Sequence, residues 1–455
     1  MPDPLRGRHV DSIGHRHYGD PDAVPPWRHP DPVRSGEDRP AVPPVTVSGQ
    51  LRLLTDPDFR RWFGSRSISE AGTAASLVAL PLLTYQLSDS ATMTAAVAGV
   101  QAVPYLLFGL FAGAAADRLP RKTMMVAADL GCAALLGTLL LADVLGALTS
   151  WHVLVVAFGL GCGFCWFDAA AWGSLARLVG KARLAEANGL LWSTEIVLSI
   201  AMPALAGLLA ALTEPTLVLG LDAASYLVSA ALLVRMRAGL DPTVGPAGPA
   251  RRLRAEIAEG LRYLWREPVI RALSLAGFGF SLSAGGVFGL LVVHADQVLA
   301  VTTADWHVGL LYTAAAVGSL FAALLLPRFG RSAGQGAVSI IGYGVFVAAL
   351  VGLAVTPVFA AALLLWTVWE FARTTVSING ITVRQQLTPD ELQGRVNTTG
   401  RMIAWGGTPF GAIVGGTIAE TAGVPIAYLV LTVPAVLGLG LLLASPVRRL
   451  RIPAG

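Results

Sequence analysis

Charge is what this chain has least of. Asp, Glu, Lys and Arg make up 14% of its 455 residues, against roughly 25% in a soluble domain. The shortfall excludes an ordinary soluble fold, because the apolar residues fall in long blocks rather than amphipathic stripes. A block of roughly 20 apolar residues crosses the hydrocarbon core of a bilayer. Cysteine is also scarce: Cys132, Cys162 and Cys165 all lie in apolar stretches. Cys162 and Cys165 have CxxC spacing, but no second pair or neighbouring histidine completes a redox or metal site. They read as small packing residues. No GxxxxGK[ST] loop occurs, which excludes ATP as the direct energy source. Neither a metal-ligand cluster nor a nucleophile–base pair appears, so neither an enzyme nor a cofactor is expected. The net charge of +4 is spread over loops, which points away from nucleic acid.

The first 50 residues are rich in Pro, Arg, Asp and His and have almost no apolar run. They cannot bury a core, so residues 1–55 are expected to form a disordered cytoplasmic tail. The tail lacks the apolar stretch of a signal peptide, and His9, His15, His17 and His29 read as solvated. Twelve spans follow, near 63–86, 93–116, 123–146, 151–172, 189–211, 216–236, 271–294, 306–326, 335–355, 358–379, 399–420 and 424–444. The spacing predicts an all-α membrane protein with six-helix bundles at 56–236 and 271–445, and a short tail at 446–455. A linker at 237–270 joins the bundles. It contains Pro242, Pro246 and Pro249, and from Leu253 to Trp265 it alternates apolar and charged residues as a surface helix does.

Basic residues set the orientation. None of the 33 Lys and Arg falls in the six loops opposite the termini. Those loops carry Asp89, Asp143, Glu214, Asp296, Asp305 and Glu420. The other loops hold Arg118, Arg121, Lys122, Arg177, Lys181, Arg183 and further arginines. By the positive-inside rule both termini are cytoplasmic, which requires an even number of spans. The chain also repeats in halves. Asp117-Arg118-Leu119-Pro120-Arg121 between spans two and three parallels Pro327-Arg328-Phe329-Gly330-Arg331 between spans eight and nine. Spans five and eleven each carry a proline followed by small residues, at Pro203 to Gly207 and Pro409 to Gly416. Paired six-helix repeats are what a rocking transporter needs.

The stretch Gly113-Ala114-Ala115-Ala116-Asp117-Arg118-Leu119-Pro120-Arg121-Lys122 resembles the GxxxDRxxRR/K signature of the major facilitator superfamily. Other strings resemble its drug/proton antiporter branch, which includes macrolide and siderophore exporters. These are Val78 to Leu83, Leu221 to Ser225, Glu259 to Leu264 and Glu391 to Asn397. The resemblance runs from about residue 50 to the C-terminus. It implies the major facilitator fold and a conformational latch on the cytoplasmic side, here Gly113, Asp117, Arg118, Arg121 and Lys122. Gly113 lets another helix approach closely, and Asp129 is the expected partner of the arginines. The chain departs from the branch in two places. Span four has no arginine, and Met202 stands where a glycine precedes the span-five proline.

Charges inside spans cost about 2.5–3.5 kcal/mol each on insertion scales, so they are functional candidates. Glu195 has no basic neighbour within four residues and leads as the proton-coupling residue. Glu70 follows, because Arg66 one turn earlier is placed to pair with it. Asp168 is third, and Glu370 pairs with Arg373 at i,i+3. Asp222 reads as a helix-start residue near the outer face. Trp192, Phe280 and Trp369 share the depth of the acids and are the expected pocket aromatics.

The expected function is export of an amphipathic small molecule, driven by the proton gradient, from a monomer in the plasma membrane with lipid as its surroundings. Two alternatives share the same fold: a dedicated exporter of an endogenous metabolite, and a lipid flippase.

Overall fold

Without water, a backbone must satisfy its own N–H and C=O groups within the segment, so apolar blocks become helices. The computed structural model describes residues 47–116, 118–180, 183–240, 259, 261–389 and 393–451, and no strand occurs among them. A short helix α1 (Val47–Leu53) precedes α2 (Pro57–Ser88), α3 (Ala91–Ala116), α4 (Arg121–Val144), α5 (Ser150–Val179), α6 (Leu184–Leu212) and α7 (Pro215–Val234). The second half comprises α8 (Pro268–Gly289), α9 (Leu291–Gln297), α10 (His307–Ala333), α11 (Gln335–Val355), α12 (Phe359–Leu387), α13 (Gln393–Trp405), α14 (Gly407–Ala422) and α15 (Val424–Ala444).

Each expected span has its helix. Eleven candidate membrane spans meet the length and apolarity required to cross a bilayer. The expected span not among them lies in α12, which carries Glu370, Arg373 and Arg384. Three expectations need correction. The seventh span is broken at Leu290, which separates α8 from α9. Residues 327–333, read as a loop, are the last turns of α10. The eleventh span is two helices, broken at Gly406. Its freed backbone is partly repaired by Ser281, whose Oγ accepts from the Gly407 N–H at 3.1 Å. The tail up to residue 46, most of the linker at 241–258, residues 390–392 and Asp117 lie outside the described residues. In the described part of the linker, residues 261–266 are helical.

Helix ends follow local chemistry. Asp56 caps α2 by accepting from Asp58 N–H at 2.8 Å and Phe59 N–H at 2.9 Å, with Pro57 at the first helical position. Gly334 alone separates α10 from α11. Its φ of +80° is the left-handed conformation that reverses the chain in one residue.

The packing repeats between halves. α2 packs on α7 as α8 packs on α15, α4 on α7 as α11 on α15, and α3 on α5 as α10 on α12. The contacts between halves follow the same rule: α3 meets α14, and α6 meets α10. Small residues allow these approaches. At Gly207, a Cβ would come 2.7 Å from the Gly309 Cα. Hydrogen bonds joining the halves gather toward the acidic loops. Tyr85 Oη donates to Asp296 at 2.9 Å. Ser90 Oγ and Thr92 N–H donate to Glu420 at 2.8 and 2.9 Å.

Gly72 sets how closely α2 meets α7. A Cβ there would lie 2.1 Å from Asp222 Oδ1 and 2.2 Å from Ser225 Oγ. Gly72→Ala is expected to destabilise the protein by about 1–3 kcal/mol through overpacking. A lower midpoint of thermal unfolding in detergent would register it, whereas an unshifted midpoint would show that α7 yields freely.

Candidate functional site

A cavity of about 430 Å³ lies between the halves, within the range of sites that hold drug-sized ligands. The first half contributes Glu70 and Ser76 from α2, Phe164 from α5, and Asp222 and Tyr226 from α7. The second half contributes Phe288 from α8, Tyr312 and Ser319 from α10, and Glu370 and Arg373 from α12. More of the wall's surface is apolar than polar, and both halves contribute charged and hydroxyl groups to it.

On the second-half wall the charge is balanced. Glu370 accepts from Arg373 Nε at 2.6 Å and from Nη2 at 2.5 Å, a two-pronged pair. Ser319 Oγ adds a third bond at 2.9 Å. The Glu370 side chain is 4% exposed, while that of Arg373 is 36% exposed. The i,i+3 pair expected from sequence is therefore formed.

The first-half wall differs from expectation. Arg66 does not bond Glu70. It pairs with Asp168 at 3.6 Å and lies 5.8 Å from the centroid of the Trp172 ring. Helix geometry permits the i,i+4 pair, but the facing helix α5 presents both an acid and an aromatic face. Among the described residues Glu70 has neither a hydrogen bond nor an ion pair, and it faces the cavity. Glu195, on α6, also lacks a bonded partner there, but does not line the cavity. Arg66, Asp168 and Glu195 all act electrostatically on Glu70, so the four charged groups chosen from sequence do gather. One cation stands among three acids.

Asp222 is the acid that sequence reading misplaced. It lies seven residues into α7, is 1% exposed, and accepts from Ser76 Oγ and, at 3.1 Å, from Ser225 Oγ. Counting its position from the start of the span would have put it two turns deep. Its neighbour in the same polar seam is Asp129, 1% exposed. Asp129 accepts from Ser229 Oγ at 2.5 Å, and Ser229 lies 2.7 Å from Ser65 Oγ. Asp129 forms no ion pair among the described residues, so it is not the partner of the motif arginines in this conformation.

The aromatic choices also change. Trp192 is 53% exposed on α6, away from the cavity. Phe280 stacks against Phe346 and Tyr343, with centroids 4.4 and 5.0 Å away. Trp369 is fully buried against Trp366 and Phe346. Phe164, Tyr226, Phe288 and Tyr312 line the cavity instead. Phe280 and Trp369 are turned into helix packing rather than toward the cavity.

In the basic-loop motif, Arg121 donates to the carbonyls of Gly173 at 2.6 Å and Ala116 at 3.0 Å. Gly173 leaves room for it, since a Cβ there would lie 2.5 Å from the guanidinium carbon. Lys122 Nζ donates to the carbonyls of Val234 and Met236, at the C-terminal end of α7. These bonds lie within the first half. Among the described residues, a Cβ at Gly113 would meet nothing within 4 Å, so none of the described helices approaches it closely here.

The architecture and sequence both have known counterparts. The nucleoside transporter NupG aligns with a TM-score of 0.70 at 13% identity, covering 86% of this chain and 98% of that one. A bacterial homologue of the iron transporter ferroportin, in an inward-facing state, aligns with a TM-score of 0.69 at 17% identity, covering 87% and 98%. At these identities the likeness establishes the major facilitator fold. Among sequences, the multidrug efflux pump Tap of Mycolicibacterium fortuitum is 26% identical over 381 residues, 81% of this chain and 90% of Tap. The enterobactin exporter EntS of Shigella boydii is 27% identical over 358 residues, 76% of this chain and 81% of EntS. The sequence profile described as transmembrane secretion effector matches residues 49–453. That match takes in both halves and the cavity between them, and the chain belongs to this family of major facilitator transporters.

Proposed function

We propose that this protein exports an amphipathic small molecule by proton antiport, alternating access to the central cavity by rocking its halves. The observation that carries the reading is the cavity between the halves, with the unpartnered carboxylate of Glu70 in its wall. A cavity drawing on both halves is remade when they rock. A carboxylate without a fixed partner is able to exchange a proton for a substrate. The names of the multidrug pump and the siderophore exporter among its relatives support efflux of a sizeable organic molecule.

In this reading the protein works as a monomer in the plasma membrane, with the basic loops and both termini on the cytoplasmic side, as the positive-inside rule favours. With that orientation, the bonds joining the halves at Tyr85 and Glu420 close the outer side. The cavity is then loaded from the inner side. When the inner side closes, Gly113, Asp117 and Arg118 act as the latch, on a strap fixed by Arg121 and Lys122. The proton gradient is the energy source, and no cofactor takes part. Lipid is the remaining partner.

The test is transport by purified protein in liposomes, with a pH gradient imposed and a panel of lipophilic dyes and antibiotics. Uphill export that collapses with an uncoupler supports the reading. An unchanged distribution of every compound, with and without the gradient, would falsify it.

A further inference from the structure

A groove of about 360 Å³ runs along the seam between α4 and α5. Met124, Ala128, Gly131 and Leu135 form one wall, and Cys162 and Trp166 the other. The spacing on each helix is three and four residues, so each wall is a single helix face. Gly131 is exposed, and a Cβ there would meet nothing within 4 Å. The groove is therefore open to the exterior of the helices, and almost wholly apolar.

Behind it lies a second space of about 30 Å³. Ala128, Cys132 and Gly163 line both this space and the groove. The inner space has charged and hydroxyl groups in its wall, from Arg66, Ser69, Glu70 and Asp129. Glu70, Thr73, Phe164 and Tyr226 in turn line both the inner space and the central cavity. Three spaces thus form one series, from the outer face of the α4–α5 seam to the site between the halves. Its tight point is the Cys132 thiol lying against Gly163, where a Cβ would come within 2.2 Å of Sγ.

We propose that this series is a lateral entry route for an amphipathic solute dissolved in the leaflet beside the basic loops. The groove spans the first half of α4, which starts at Arg121 next to a basic loop. It therefore faces that leaflet. The apolar part of the solute lies in the groove. Its polar head enters the throat, where Arg66, Asp129 and Glu70 replace its water, so that no polar group crosses an apolar layer unpaired. A space of this size holds about one water, so the throat is shut to a solute in this conformation. Displacement of the Cys132 side chain, together with a turn of the half-exposed Phe164 ring, joins the three spaces. The proposal rests on the export reading for its cargo, and makes the bilayer, rather than the cytoplasm, the phase from which cargo is taken.

Gly131→Trp tests it, because the groove accepts an indole there without touching the central cavity. Gly137→Trp is the control: Gly137 is also open on α4 but lies outside the groove. In liposomes loaded with Hoechst 33342, a dye that partitions into lipid, Gly131→Trp is expected to slow export at least about tenfold, a barrier rise of about 1.4 kcal/mol. Gly137→Trp is expected to stay within about twofold of the native rate, as is dye affinity in detergent for both variants. A second measurement needs no transport. An alkylamine bearing a diazirine, diluted in nanodisc lipid, is expected to label Phe164 and Tyr226 in the native protein and to lose that labelling in Gly131→Trp. Labelling of Phe164 that persists in Gly131→Trp overturns the route, whatever the dye assay gives. Labelling that is lost, in a native protein that exports no dye, upholds the route and removes the export reading alone.

Discussion

Glu70→Gln is expected to abolish uphill export. In liposomes with the acidic-loop side acidified, native export should rise with the size of the pH gradient, and the variant's should stay flat. The physical reason is that glutamine keeps the shape and hydrogen-bonding capacity of the side chain but holds no exchangeable charge. Glu70 is the acid for which this matters because it lines the cavity. The cation one turn away, Arg66, is turned toward Asp168 at 3.6 Å and lies over Trp172. Because glutamine carries no exchangeable proton, the gradient-dependent part of export is expected to be lost, leaving only downhill flux. Exchange of labelled for unlabelled substrate, which moves no net proton, should survive. Glu195→Gln should have the smaller effect, because Glu195 does not line the cavity. Undiminished pH-driven export by Glu70→Gln would remove the assignment.

Arg373→Ala is expected to destabilise the protein by about 3 kcal/mol, near the lower end of the cost of orphaning a buried ion. Arg373 supplies two bonds to Glu370, and removing it leaves a carboxylate that is 4% exposed with only hydroxyl donors. Ser319 and Thr374 remain, at 2.9 and 3.3 Å. The effect falls at the low end because the Arg373 side chain is 36% exposed toward the cavity, where water reaches the site. Thermal unfolding in detergent measures the loss. Adding Glu370→Gln should restore most of it, since the neutral amide no longer needs a counter-charge, and a coupling energy close to zero between the two positions would show that the pair contributes nothing.

Much of the fold was legible because the information is local. A helix in a bilayer is specified by a run of apolar residues long enough to cross it, and its direction by which loops carry arginine. The breaks at Leu290 and Gly406 were harder to see, since apolar composition continues through them. The ionic pair of α12 was legible because both partners lie on one helix, a turn apart. Arg66 shows the limit of the same argument. Glu70 lies at the right spacing, yet a residue 102 positions away from Arg66 won the contact, because α5 presents Asp168 and Trp172 together.

The sequence alone determined that the chain is all-helical, where its apolar spans lie along the chain, and which loops carry the basic residues. It also brought forward Glu70, Arg66, Asp168 and Glu195, which do gather. Only the tertiary structure decided which way each side chain points. Trp192 turned outward, Trp369 into packing, and Asp222 and Glu70 toward the cavity. In a soluble helix, polarity marks the outer face. Here the surface toward lipid and the surface toward other helices are equally apolar, so the sequence carries no periodic signal for rotation about the axis. That rotation is fixed by contacts such as Gly72 against Asp222, made between helices far apart in the chain.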